Sequence, residues 1–153
     1  LLGSGMAFTK AVDSSGLSVW VGTQISAFGT MNLFLLLVLL ITVVNFLTEI
    51  ASNMATIAMM LPILAPIALE FDLHPFVLMV AAAAAASCAF MLPVATPPNA
   101  VVFGSGYLKI NDMVKNGFLL NLTSIVIIAL MVYFALPILW DLVPDEFPKS
   151  LNI

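Results

Sequence analysis

The chain has 153 residues, 63% of them hydrophobic and only 8% charged, and its mean hydropathy is +1.19. A soluble domain has roughly 45–50% apolar and 25% charged residues, so this composition excludes one and indicates an integral membrane protein. The net charge is −4 and the four basic residues are all lysine, which excludes a phosphate-binding face and with it a nucleic-acid partner; the single cysteine, Cys88, excludes an intrachain disulfide and reads as a small buried apolar residue.

Residues 1–12 read as the end of a helix in which Gly3 and Gly5 allow close packing, closed by Asp13-Ser14-Ser15-Gly16. Leu1-Leu2-Gly3 starts within that helix without an initiator Met, which suggests a fragment or processed chain, and no basic stretch marks a signal peptide. Residues 17–28 mix Trp20, Gln24 and Ser26 with apolar side chains, too polar to span, and are expected to form an interfacial helix. Gly16, Gly22 and Gly29 fit turns at the ends of these elements, or flex points between them.

Residues 32–47 are apolar apart from Asn32, Thr42 and Asn45. Sixteen residues at about 1.5 Å each reach about 24 Å, short of a hydrocarbon core of roughly 30 Å. A polar cluster follows, Thr48-Glu49-Ile50-Ala51-Ser52-Asn53-Met54-Ala55-Thr56, and then a second apolar arm, 57–69, that Pro62 and Pro66 should bend. Two short arms meeting at a polar tip predict a re-entrant hairpin over 31–70. Glu70, Asp72 and His74 mark a surface, and Pro75 opens the next helix.

Residues 76–94 are uncharged and long enough to span if unbroken. Their run Ala81–Ala86 suits close helix packing in lipid. Thr96-Pro97-Pro98-Asn99 then interrupts the apolar stretch. The two prolines lack N–H groups and disfavour helix before them, so a broken helix is predicted over 75–108. Lys109, Asp112 and Lys115 read as a polar loop, 116–140 as a final span with Tyr133 and Trp140 as interface anchors, and 141–153 as a polar tail. The positive-inside rule places Lys109 and Lys115 in the cytoplasm, and 70–74 and the tail outside.

Irregular backbone inside a membrane is tolerated only where protein buries it or a cavity needs it, and transporters use such breaks to bind ions and substrate near the midplane. The polar tip and the Thr96–Asn99 break are therefore expected to face each other. Na⁺, a hard cation, wants oxygens, and the carbonyls of Thr48, Ala51 and Ala95 with the Asn53 side-chain oxygen can supply them. An anion wants donors, and half-helices starting after Asn53 and after Pro98 present them with a positive dipole end. No Lys or Arg lies in the apolar segments, so neutral donors and nearby Na⁺ must hold it. Glu49 is a proton site, a partner of a group in a segment outside this sequence, or a hydrogen-bonding carboxylate of a polar pocket. His74 and the nine methionines read as structural.

Ala86-Ser87-x-x-Phe90-x-x-Pro93-Val94-Ala95-x-x-x-Asn99-x-Val101-Val102 resembles the signature of the divalent anion/sodium symporters, which carry sulfate or dicarboxylates. Ser52-Asn53-Met54 resembles the Ser-Asn-Thr motif of that family, with Met at the third position. The resemblance implies one inverted-repeat half of an elevator-type transporter in the cell membrane, with residues 1–30 ending a scaffold helix and adding the interfacial helix, and 31–142 forming half of the transport domain. It further implies a homodimer and an N-terminal repeat, absent here, that carries the other sodium site and half the substrate site. Na⁺ would bind at Thr48, Ala51, Asn53 and Ala95; substrate would touch Ser52, Asn53, Met54, Thr96, Pro97 and Asn99. No enzyme activity or organic cofactor is implied. The expected function is sodium-coupled symport of dicarboxylates such as succinate. Sulfate or citrate symport, a re-entrant-loop channel and a non-transporting membrane subunit are the alternatives.

Overall fold

A computed structural model describes residues 10–11, 14–16, 32–141 and 143–144. The expected interfacial helix at 17–28, residues 1–9 and 12 of the first helix end and the tail from 145 onward lie outside the described residues; residues 10 and 11 of that first element are helical. The rest is helical, with no strand among the described residues.

Helix α1 runs Leu33–Leu47, capped by Asn32, whose side chain accepts from the Phe34 N–H at 2.9 Å. A turn over 48–52 leads into α2, Asn53–Glu70, capped by Ser52. The helix starts four residues before the expected arm and continues through Pro62 and Pro66. The tip is therefore a tight turn, and its last polar residues already belong to a helix. The two arms splay apart, with α3, Pro75–Ala86, packed against both. Between them lies an apolar cleft of about 290 Å³, lined by Leu39, Val43, Met60 and Ile63 among others. The alanine run makes this packing possible: Ala81, Ala82, Ala85 and Ala86 are buried against their neighbours, as small residues allow when helices meet without large side chains between them.

Helix α3 ends at Ala86, eight residues before the expected boundary at Val94. Ten residues, 87–96, are unwound before α4, Pro97–Gly104. Pro97 and Pro98 thus occupy the first turn of α4, where a missing N–H costs nothing and the fixed φ favours the helix. They start a helix; they do not break one. The proline inside the break is Pro93, which also bars helical geometry at Leu92.

The last span also departs from expectation. Helix α5, Ile110–Leu130, begins with Asp112 and Lys115 already inside it. The Lys109 N–H donates to the Asp112 carboxylate at 3.3 Å, and an acid in the first turn suits the helix dipole. A π-helical turn, Met131–Ala135, carries the chain into α6, Leu136–Trp140. Pro137 follows that turn, and a local widening is a common answer to a proline that cannot complete the ladder. The continuous stretch Ile110–Trp140 has 31 residues, long and apolar enough to cross a membrane.

At its far end α6 meets the α2–α3 turn. The His74 N–H donates to the Pro144 carbonyl at 3.0 Å, and the rings of Phe76 and Trp140 meet edge-on at 6.3 Å. Residues 74 and 144 therefore share one side of the molecule, and Lys109 and Lys115 lie at the opposite end of the span.

Candidate functional site at the tip and the break

Both polar clusters reach one cavity of about 620 Å³. It is lined by Ser52, Asn53, Met54 and Ile57 on one wall, and by Ser87, Ala89, Phe90, Ala95, Thr96, Pro97, Pro98 and Asn99 on the other. Of the residues singled out in the sequence, Ser52, Asn53, Met54, Ala95, Thr96, Pro97 and Asn99 line it; Thr48 is fully buried behind Asn53, and Ala51 sits in the turn. No charged side chain lines it.

Two helices begin at this cavity. At α2 the Ser52 hydroxyl accepts from the Ala55 N–H at 3.3 Å and the Ser52 carbonyl accepts from Thr56. The N–H groups of Asn53 and Met54 have no acceptor among the described residues, as expected for the first turn of a helix. At α4 the situation differs from the sequence-based expectation. Pro97 and Pro98 have no N–H, the Asn99 N–H goes to the Thr96 hydroxyl at 3.4 Å, and the Ala100 N–H goes to the Thr96 carbonyl at 3.1 Å. Helix α4 therefore turns its dipole toward the cavity without a free backbone donor; its donor is the Thr96 hydroxyl proton. Ser52 has the same free proton, because its oxygen is the acceptor in its cap.

The Asn99 side chain is engaged elsewhere. Its amide donates to the carbonyls of Ala89 at 2.9 Å and Leu92 at 3.1 Å. Both hydrogens thus hold the unwound segment in place, and neither faces an anion.

Oxygens gather beside the tip. The Thr48 hydroxyl lies 2.9 Å from Asn53 Oδ1 and 2.9 Å from the Ala86 carbonyl. One hydroxyl proton can serve only one acceptor at a time, so three oxygens share a single hydrogen. The carbonyls of Thr48, Ala51 and Ala95 have no donor among the described residues. A donor-poor group of oxygens is what a hard cation requires. No cluster of three His, Cys, Asp or Glu occurs among the described residues; the oxygens gathered here are carbonyls, a hydroxyl and an amide, the ligand type that hard cations take.

Glu49 is a hydrogen-bonding carboxylate in a polar pocket. It is 3% exposed, and its carboxylate accepts from the N–H groups of Phe90 (2.8 Å), Met91 (2.9 and 3.1 Å) and Leu92 (3.0 Å) and from the Asn121 amide (2.8 Å). Every neighbour is a donor, and three of them are backbone groups that a continuous helix would have used. Glu49 is therefore the group that holds the break open. Asn45 joins it, donating to the Cys88 carbonyl at 2.7 Å.

Reading the sequence for polar clusters missed Asn45 and Asn121 as parts of the site. The signal was present as spacing. Asn45, Thr48 and Glu49 stand at i, i+3 and i+4, on one face at the end of α1. Asn121 and Ser124 repeat that three-residue step on α5, in an otherwise apolar stretch.

Residues 1–141 match the family described as the sodium:sulfate symporter transmembrane region. The chain belongs to that family. It is 51% identical over 137 residues to the sodium-dependent dicarboxylate transporter SdcS of Staphylococcus saprophyticus, and 46% identical over 138 residues to SdcS of Staphylococcus aureus strain USA300. Each alignment covers 90% of this chain and 26% of the relative, so the chain spans about a quarter of the length of these relatives. By these descriptions the family is one of sodium symporters and the relatives are sodium-dependent transporters, not enzymes. Membership makes the chain a membrane protein, in keeping with its apolar helices.

Proposed function

We propose that the chain forms one inverted-repeat half of a sodium-coupled dicarboxylate symporter, with a C4-dicarboxylate such as succinate as substrate. One observation carries this reading: a cavity without charged side chains, bordered by two helix starts and backed by an oxygen cluster short of hydrogens. Neutral donors alone hold a dianion poorly. A Na⁺ ion beside it supplies the missing charge, and this makes anion binding depend on sodium.

In this reading Na⁺ sits against Thr48, Ala51, Asn53 and Ala95, using the Asn53 side-chain oxygen and backbone carbonyls, and the Ala86 carbonyl lies at the edge of the same group. The dicarboxylate takes the hydroxyls of Ser52 and Thr96 and the free N–H groups of Asn53 and Met54. Pro97 closes the wall. Met54 contributes through its backbone, so the absence of a hydroxyl at this position shapes the cavity and leaves that N–H contact intact. Asn99 acts by bracing the wall. The short arms α1 and α2 form a re-entrant hairpin that moves with the broken helix as part of an elevator-type transport domain, in a homodimer whose other repeat supplies the second sodium site and the remaining substrate contacts. The tail and the α2–α3 turn face the outside.

Uptake of labelled succinate into proteoliposomes holding the full-length transporter tests the reading. Uptake should require an inward Na⁺ gradient and should be suppressed by excess unlabelled dicarboxylate. Suppression by sulfate or citrate but not by dicarboxylates would reassign the anion. Anion flux without Na⁺ would overturn symport.

A further inference from the structure

Helix α5 crosses the unwound segment in close backbone contact at Gly117. A Cβ built at Gly117 would collide with the Phe90 carbonyl oxygen and stand 2.6 Å from Met91 Cα and the Phe90 carbonyl carbon. These are about 1 Å short of ordinary contact, and all three atoms are backbone, so no rotamer change relieves them. Four residues on, on the same face of α5, Asn121 donates to the Glu49 carboxylate that gathers the N–H groups of Phe90, Met91 and Leu92. The absence of a side chain at 117 is what lets α5 approach closely enough for that bond. Gly104, by contrast, has nothing within 4 Å of its Cβ position.

The segment Gly117 presses on is also thin. Phe90 and Asn99 line the candidate site on one side, and on the other they line a second cavity of about 220 Å³ together with Met113, Asn116 and Gly117. Displacing this wall from the α5 side moves it into the site.

We propose that Gly117 is a positioning residue for sodium and substrate binding: by lacking a side chain it seats α5 against the Phe90–Met91 backbone, and so fixes the wall that carries Ala95 and Thr96. This rests on the transport reading above. A glycine kept only to build the helix would show the opposite behaviour, since alanine is the better helix former.

The test compares Gly117→Ala with Gly104→Ala in the reconstituted full-length transporter, reading KM for succinate, the half-saturating Na⁺ concentration and Vmax per inserted molecule. Gly117→Ala should raise KM and the half-saturating Na⁺ about tenfold, while Gly104→Ala stays within twofold of wild type. Normal KM and sodium dependence with only a lower Vmax or lower yield would mean a structural role and overturn the proposal. If Gly117→Ala does not insert, Asn121→Leu tests the same docking without a backbone clash. It should raise KM and half-saturating Na⁺ likewise, and unchanged values there would also overturn the proposal. The wild type, run alongside, separates this from the parent reading: without sodium-dependent uptake in the wild type, the transport assignment fails first.

Discussion

Replacing Glu49 by Gln changes one oxygen into an NH₂ group at nearly constant volume, and the structure says which bonds are lost. The oxygen facing Phe90, Met91 and Asn121 can remain an acceptor, keeping contacts at 2.8, 2.9 and 2.8 Å. The other oxygen, 3.0 Å from the Leu92 N–H and 3.1 Å from that of Met91, becomes a donor facing donors. At least the Leu92 N–H is then left without a partner in a buried place, which costs about 1–3 kcal/mol. The break can recover part of this by shifting Leu92, and with it the Ala95–Thr96 end that lines the cavity. The expected result is a loss of apparent succinate and Na⁺ affinity of roughly fivefold to a hundredfold, in protein that still inserts. Glu49→Asp keeps the charge but withdraws the carboxylate by about 1.5 Å, one C–C bond; it should be as damaging as Gln or worse, because all four donors then lie out of reach. Sodium-dependent uptake in proteoliposomes measures the affinities, and hydrogen exchange at amides 90–92 measures the latch directly. Normal affinities together with unchanged exchange at those amides would refute the idea that Glu49 shapes the site.

Asn53→Ala removes the Oδ1 oxygen and the Thr48 acceptor together, and should raise the Na⁺ concentration for half-maximal uptake about tenfold or more, by the loss of a buried polar contact of about 1–3 kcal/mol; unchanged sodium activation at normal expression would remove Asn53 from the site. The double variant Pro97→Ala, Pro98→Ala should leave succinate affinity within about threefold, because residues 87–96 are held apart by Glu49 and Asn99 and not by these prolines; a strong loss would restore the prolines as the cause of the break. Single-cysteine labelling, with Cys88 replaced, should reach residue 112 only from the cytoplasmic side and residue 72 only from outside, and the reverse pattern would invert the topology. His74 caps α3 by accepting from the Phe76 N–H at 3.3 Å, and burial holds its imidazole below the usual histidine range. The fold thus favours the neutral ring, and its contribution is intact above about pH 6.5 and lost as the pH falls below it. Thermal unfolding at pH 7.5 and 5.5 should show that loss in the wild type and a smaller one in His74→Asn, which caps without titrating; an equal loss in both would discount His74.

What was legible in the sequence were features set by local chemistry. Composition marked the membrane, the polar tip marked the turn between two short helices, and Pro75 marked the start of α3. What was not legible depended on partners far along the chain. The break begins at Ser87 and not near Thr96 because Glu49 and Asn45 reach it from 41 and 43 residues earlier; no window around residues 87–96 contains that information. Pro97 and Pro98 misled for a related reason. A proline pair disfavours helix before it and favours helix after it, and only the tertiary partners decide how far upstream the disorder of the ladder extends. The start of α5 was hidden by charge: Asp112 and Lys115 look like loop residues until Asp112 is recognised as the first-turn partner of the Lys109 N–H.

The unwound segment shows why this site can be both stable and unfinished. Backbone groups freed inside a membrane need partners, and most of those in 87–96 have them. The N–H groups of Phe90, Met91 and Leu92 go to Glu49, the carbonyls of Cys88, Ala89 and Leu92 go to Asn45 and Asn99, and the Ala86 carbonyl goes to Thr48. These partners come from Asn45 in the last turn of α1, from Thr48 and Glu49 just past its end, and from Asn99 in the first turn of α4, so the break is tied to the polypeptide on both sides. Some of the groups left over border the cavity: the Ala95 carbonyl, the Thr96 proton, and across from them the Asn53 and Met54 N–H groups. They comprise one acceptor and three donors around one cavity, and a cation and an anion bound side by side would need both kinds. A cation pulling on Ala95 acts on the same short stretch that presents Thr96 to the anion, one residue away. Sodium and substrate would then be coupled through one peptide unit of a wall whose remaining residues are already held.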